Sequence, residues 1–160
     1  MKKILIALTS LLLIAGCSSS GEPKESKPEE KSVVLQIEAE GILSSIEIFY
    51  TADEATKEDI VIKSVTNSTI DYSVMGFADE ADAKEQLSAL GDALSEQNGV
   101  SSSYEYTETS FNETVNVIFS EMTDEQKQNF STAELNENGN IVLESYVETL
   151  KSVGYTEQTK

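Results

Sequence analysis

From Val33 onward, apolar and polar residues alternate with a period of two. In Val33–Ala39, the residues Leu35, Ile37 and Ala39 share one face. Gly41 interrupts the pattern, and Ile42–Thr51 resumes it with Ile46, Ile48 and Tyr50 on one face. Ile60–Tyr72, rich in Ile, Val and Thr, follows, with a pause expected at Asn67-Ser68. Alternation over short β-branched segments separated by turn residues predicts a three-stranded antiparallel meander. Residues 79–98 change to a helical period. Ala83, Leu87, Leu90 and Leu94 form one apolar stripe, while Asp82, Glu85, Asp92 and Glu96 lie on a face suited to water. Asp79 suits the N-cap, where its carboxylate can accept from free backbone N–H groups, and Gly99 suits the C-terminal stop.

The second half of the chain repeats both signals. Tyr104 and Tyr106 fall on one side of a strand, and Val115, Val117 and Phe119 mark the next. Thr123-Asp124-Glu125-Gln126 reads as a capping box that opens a short helix ending near Ser131. Ser145-Tyr146-Val147-Glu148 reads as a second box, with Val147, Leu150 and Val153 as the apolar side and Gly154 as the stop. The order is β-β-β-α-β-β-α-α. Strands in runs with segregated helices give an α+β fold, an antiparallel β-sheet packed against helices, as a single domain over residues 33–160.

Several of these segments together resemble the YehR-like family of small bacterial lipoproteins. The likeness is carried by Asn67-Ser68-Thr69-Ile70-Asp71-Tyr72-Ser73-Val74-Met75-Gly76, by the amphipathic helix after it, and by Gly99-Val100, Tyr104-Glu105-Tyr106 and Gly154-Tyr155. It implies a small α+β domain behind a lipid-attachment sequence. It implies no activity, and no functional residue is transferred by it.

The N-terminus carries a different pattern. Met1-Lys2-Lys3 precedes an apolar run of 12 residues from Ile4 to Ala15. A basic start, an apolar stretch and small residues at a cut are the parts of a secretory signal, here residues 1–16. The run is too short for a spanning helix, which needs about 20 apolar residues. Leu13-Ile14-Ala15-Gly16-Cys17 resembles a bacterial lipobox, which implies a diacylglyceryl group on the Cys17 thiol and cleavage just before it. Two acyl chains hold a protein firmly, at about 0.8 kcal/mol per buried methylene. Cys17 is the only cysteine, so no disulfide forms within the chain. Ser18–Ser32 holds both prolines and no aliphatic or aromatic side chain. Residues 17–32 are therefore expected to be a lipidated cysteine and a disordered tether, spanning roughly 20 Å.

The chain carries a net charge of −18, with no histidine and no tryptophan. Loss of the signal removes Lys2 and Lys3 and no acid, so the remainder is more negative still. This balance argues against nucleic acid, which demands clustered basic residues. The absence of histidine excludes the triads and zinc sites that depend on it. Carboxylate chemistry remains, but 29 acids place some pair at a glycosidase spacing by chance. No catalytic residue and no cofactor are expected.

One segment has metal-ligand spacing. Glu134, Asn136, Asn138 and Asn140 alternate around Gly139 as in a calcium-binding EF-hand loop. Ser145 stands where the bidentate Glu should be, with Glu144 one residue early, and an Asn-Gly turn explains the same residues. The expectation is a lipid-anchored extracytoplasmic protein of the cell membrane, a non-catalytic binding or accessory module with a small-molecule or protein partner. A protein partner on an exposed sheet face is the alternative. A carboxylate-dependent hydrolase and a calcium-binding module stand behind both.

Replacing Cys17 with Ala is expected to abolish acylation and release the protein from membranes. Fractionation tests this, and a Cys17→Ala protein held as firmly as the wild type would refute the lipobox reading.

Overall fold

The computed structural model describes residues 28–158; the signal, Cys17 and most of the tether lie outside the described residues. Six strands form one sheet: β1 (Lys31–Ala39), β2 (Ile42–Asp53), β3 (Glu58–Asp71), β4 (Val100–Tyr106), β5 (Ser110–Ile118) and β6 (Thr156–Glu157). Their order is β4-β5-β3-β2-β1-β6, with every pairing antiparallel. The meander is thus extended on both sides by strands from the second half of the chain. β1 starts two residues ahead of Val33. Lys31 and Ser32, read as tether from their polarity, pair with Tyr50 and Phe49, and Ser32 Oγ donates to Glu47 Oε1 at 2.8 Å.

The pause expected at Asn67-Ser68 does not occur, and β3 runs unbroken for 14 residues. Both side chains have cross-strand partners that replace water. Ser68 Oγ lies 2.8 Å from Ser44 Oγ, and Asn67 Oδ1 accepts from Thr114 Oγ1 at 3.0 Å. The irregularity falls earlier in β3 instead: Phe49 pairs with Lys63 and Tyr50 with Val61, so Ile62 is the extra, bulged residue.

Because neighbouring strands are in register, side chains on one face line up in rows across the sheet. On the covered face, Val100, Val117, Ser64, Ile48 and Val33 form one row. Leu35, Ile46, Thr66, Val115 and Ser102 form the next. The third is polar over most of its length: Tyr104, Glu113, Ser68, Ser44, then Ile37. Tyr106, Phe111, Ile70, Ile42 and Ala39 make the fourth. The buried residues divide on the same line. A larger cluster holds Leu35, Ile46, Ile48, Val117, Phe119 and Ile141, and a smaller one holds Tyr72, Ala83, Leu87 and Phe111. The opposite face is solvated and carries Gln36, Ser45, Asn67 and Thr114, the usual arrangement for a sheet covered on one side.

Four helices complete the fold: α1 (Tyr72–Met75), α2 (Glu80–Ser95), α3 (Asp124–Ser131) and α4 (Leu143–Ser152). The observed order agrees with β-β-β-α-β-β-α-α, with the short α1 and β6 added. Asp79 caps α2 as expected, accepting from the Ala81 and Asp82 N–H groups at 2.9 and 3.0 Å. Gly99 does not end α2. The helix stops at Ser95 with Glu96 as C-cap, and Gly99 (φ +74°) turns the chain into β4. Its Ile118 neighbour returns a hydrogen bond, donating N–H to Gly99 O at 2.7 Å.

The stripe on α2 is also narrower than its sequence suggests. Ala83 and Leu87 are buried, but Leu90 is 47% exposed. The helix packs chiefly on β4, an end strand, with Gly91 set against Tyr104. A single strand covers a narrow strip of helix, and Leu90 lies outside it.

The capping box at Thr123 forms in full: Gln126 N–H donates to Thr123 Oγ1, and Thr123 N–H donates to Gln126 Oε1. The box at Ser145 does not. α4 begins two residues earlier, at Leu143, with Val142 as an N-cap that has no side-chain bond. An antiparallel bridge between Ile60 and Val142 fixes the chain at that point, so the start is set by tertiary pairing rather than by a cap. The end of α4 is closed by a Schellman motif. Gly154 (φ +105°) donates N–H to Lys151 O, and Tyr155 donates N–H to Leu150 O, both at 3.1 Å. Val153, expected on the apolar side, is 63% exposed, and Tyr146 takes the buried position.

Leu87→Ala is expected to cost about 2–5 kcal/mol, through lost transfer energy and a residual cavity. Leu90→Ala should stay within about 0.5 kcal/mol, as exposed substitutions do. Urea unfolding of the two variants side by side checks this, and equal losses would show that α2 buries a different face.

Candidate functional site

At the end of the sheet where β1 begins, the covered face is left open between α4 and the β2–β3 hairpin. The opening is a cavity of about 700 Å³. Its apolar wall comes from Val33 and Tyr50 on the sheet and from Leu143 and Val147 on the first turns of α4. Its charged groups are Lys57, Glu58, Asp59, Glu144 and Glu157. Glu157 is paired with Lys151 at 2.8 Å, which leaves Glu58, Asp59 and Glu144 beside Lys57 and makes the surface mixed apolar and anionic. A cavity with a few convergent polar groups is the ordinary form of a small-molecule site.

Local chemistry explains the placement of the rim. The hairpin closes because Asp53 Oδ1 accepts from Ala55 N–H at 2.8 Å and Lys57 N–H donates to Asp53 O at 2.8 Å. The Ala55 bond is the main reason the Asp53 carboxyl lies below the usual carboxylate range. Lys57 adopts φ +63°, a conformation that glycine or asparagine would hold with less strain. Behind the wall, burial pushes the Tyr146 hydroxyl up to about 12, against a smaller opposing effect of Ser64. Tyr146 meets Phe119 edge to face at 6.0 Å between centroids, which fixes α4 on the core.

The segment with metal-ligand spacing lies next to this rim and has a structural use. Leu135 bridges to Ile141, and Asn136 N–H donates to Asn140 O at 2.9 Å, closing a tight turn around Gly139. Asn136 Oδ1 accepts from the N–H groups of Asn138 and Asn140, each at 3.0 Å. Asn136 Nδ2 donates to Glu58 Oε2 at 2.6 Å, tying the turn to the cavity rim. The positive charge beside the turn is the chain's own. Lys127 Nζ donates to Gly139 O at 2.7 Å and pairs with Asp124 Oδ1 at 3.3 Å. Glu134 and Asn138 are exposed, with Asn138 engaged here only through its N–H. Among the described residues, no group of three or more His, Cys, Asp or Glu side chains is placed to hold a metal ion.

Cys17 lies outside the described residues. Among the described residues, no helix is long and apolar enough to cross a membrane. The cavity residues carried no sequence signal, because Val33, Lys57, Leu143 and Glu157 meet only through the topology. The one indirect clue was the turn at Asn138-Gly139, which holds Glu58 in place through Asn136.

Comparison with known proteins gives three findings. A family described as "Protein of unknown function (DUF1307)" matches residues 31–156. Lmo0207 of Listeria monocytogenes, described as an uncharacterized lipoprotein, is 24% identical over 161 residues, covering 98% of this chain and 94% of that protein. The NMR structure of the Escherichia coli YehR protein is similar with a TM-score of 0.65 at 20% identity, covering 82% of this chain and 93% of that one. At that identity the likeness shows the shared fold.

Calcium is expected to stabilise the purified chain no more than magnesium does, since Asn136 Oδ1 and the Gly139 carbonyl are already engaged. Thermal melts in matched salts at high ionic strength check this. A calcium-selective rise that disappears in Asn138→Ala would instead make Glu134–Ser145 a binding loop.

Proposed function

The chain belongs to the DUF1307 family, the YehR-like group of unknown function, and from that premise we propose that it is a lipid-anchored extracytoplasmic binding module without catalytic activity. The anchor is Cys17, supported by its place after an apolar run and small residues and by the description of the Listeria relative as a lipoprotein. The cavity at the start of β1 is the binding site. The observation that carries this reading is the apolar wall of Val33, Tyr50, Leu143 and Val147 beside Glu58, Asp59 and Glu144, with Lys57 as the lining lysine and Glu157 already paired with Lys151. Such a site takes a small ligand with an apolar body and a cationic group. Protonated amines lose least by burial there, because the fixed carboxylates replace water around the charge.

The tether enters the domain at Lys31, beside Tyr50 on the cavity wall. A ligand held there sits at the same end of the domain as its attachment to the membrane. The solvated sheet face favours a protein partner less. Its centre is occupied by Gln36, Ser45, Asn67 and Thr114, with side-chain hydrogen bonds joining Asn67 to Thr114 and Thr69 to Asn112. Contiguous apolar area, the usual mark of a docking face, is not what these residues present.

Titration with n-hexylamine and with hexanoate, followed by NMR, tests the reading. Hexylamine should shift the methyl resonances of Val33, Leu143 and Val147, and hexanoate should not. Val147→Trp, which fills the cavity, should remove the hexylamine response. Equal responses to amine and acid, or none to either, would overturn it.

A further inference from the structure

The two edges of the sheet are treated differently. At one, β6 pairs with Leu35 and Gln36 of β1, and Thr156 Oγ1 donates to Gln36 O at 3.2 Å, with Lys151 and Glu157 paired beside it. At the other, β4 pairs with β5 alone among the described residues. Edges are ordinarily guarded by lysine, proline, a bulge or a short strand. β4 has seven residues, Val-Ser-Ser-Ser-Tyr-Glu-Tyr, with no lysine or proline and no break in register.

The phase of the ladder shows which backbone groups are left over. Thr107 N–H donates to Ser110 O and Ile118 N–H donates to Gly99 O, so the odd-numbered residues of β4 bond to β5. The N–H and C=O groups of Ser102, Tyr104 and Tyr106 therefore point away from the sheet. Their side chains line a cavity of about 440 Å³ together with Ser88, Gly91 and Asp92 of α2. Gly91 opens it, since a Cβ there would stand 3.1 Å from the Tyr104 ring. Inside it, Ser102 Oγ and Tyr104 Oη are buried close to one another and to Glu113, and among the described residues neither makes a well-formed hydrogen bond. Burial, reinforced by the Glu113 carboxylate, pushes the Tyr104 hydroxyl up to about 12, so it remains protonated and can both donate and accept.

The surroundings are acidic. Glu80, Asp82, Glu85 and Asp92 lie on α2 and Glu105 on β4. Lys84 is the only lysine between Lys63 and Lys127, and it is already paired with Glu80. We infer that the free edge of β4 binds an extended basic peptide segment, which adds a strand to the sheet and places alternate lysine or arginine side chains in the groove between β4 and α2. Backbone bonds to Ser102, Tyr104 and Tyr106 hold the strand. Cationic side chains donate to Ser102 Oγ and Tyr104 Oη and meet the Asp92 carboxylate. A second copy of this chain fits poorly, because edge-to-edge pairing would bring Glu105 and the α2 acids of both copies together.

The test uses the mature chain in detergent and an acetylated, amidated heptapeptide of alternating lysine and valine, with the glutamate–valine peptide as control. Binding of the lysine peptide should slow amide exchange at Ser102, Tyr104 and Tyr106, and the glutamate peptide should leave it unchanged. Ser102→Pro removes an outward N–H without touching the β5 ladder, and it should weaken binding about tenfold, the scale of one lost hydrogen bond. Asp92→Lys, on the exposed side of α2, should weaken binding at an unchanged melting temperature and guards against a folding defect in the first variant. No binding, broad shifts over the acidic surface without protection of the three amides, or affinity unchanged in both variants would overturn the inference. So would sedimentation showing that β4 is covered by a second copy.

Discussion

The long central strand β3 sets the geometry of this protein. It is paired with β2 on one side and β5 on the other over most of its 14 residues, so one register is imposed on the meander and the hairpin alike. A slip of one residue would turn every side chain of β3 to the opposite face. Buried Val61 and Ser64 and the half-buried Ile70 would then face water, and Thr69 and Asn67 would face the core. The same register aligns Tyr104, Glu113, Ser68 and Ser44 in one polar row, bounded at its far end by Tyr155, whose hydroxyl lies 3.1 Å from Ser44 Oγ. Hydrogen bonds from Ser68 through Ser44 to Tyr155 limit the cost of burying that end of the row. Two apolar clusters result, with α2 reaching both: Ala83 and Leu87 lie in the smaller and Leu94 packs on the larger.

That division explains why the helices differ so much in what they bury. α4 sits over the centre of the large cluster and fixes Tyr146 against Phe119. α2 lies over the end strand and contributes two fully buried side chains, Ala83 and Leu87. The two edges follow from the same layout. On the α4 side, the Schellman turn at Gly154 sends Tyr155 back to the core and lets β6 close β1. On the α2 side, none of the described residues returns to β4, and its outward backbone groups have no strand partner among them.

How much of this was legible in the sequence depended on how local the cause was. The alternation in β1 and β2, the N-cap at Asp79 and the capping box at Thr123 each rest on residues within a few positions of one another, and they formed as expected. The failures have distant causes. Ser145 has the right neighbours for a cap, but the bridge from Ile60 to Val142 starts α4 earlier. Leu90 has the right spacing for a core stripe, but the width of that stripe is decided by the single strand beneath it. Asn67-Ser68 looks like a pause only until Thr114 and Ser44 are brought alongside. Two-residue β6 carries no periodic signal at all. The cavity was invisible for the same reason: its walls come from five separate stretches, and no one of them is unusual by itself.

The large negative charge also finds its place in local terms. Several carboxylates replace missing helix and turn bonds: Asp53 accepts from Ala55, Asp79 from Ala81 and Asp82, and Asp82 from Ala78. For Asp53 and Asp82, those backbone N–H donors are the largest reason the carboxyl lies below its ordinary range. A carboxyl lowered on folding contributes stability that is present above its unfolded pKa and is lost as pH falls through the folded value. The caps are therefore strongest near neutrality, where the acids that have no such donors repel one another most. The three ion pairs among the described residues do little to offset that repulsion, since all have at least one well-exposed partner. What remains is a fold held by its two apolar clusters and its ladder, with excess negative charge left at the surface. Part of that excess lies beside the two openings the sheet leaves, as Glu58, Asp59 and Glu144 at the cavity and Asp92 on α2, so both openings favour cationic groups over anionic ones.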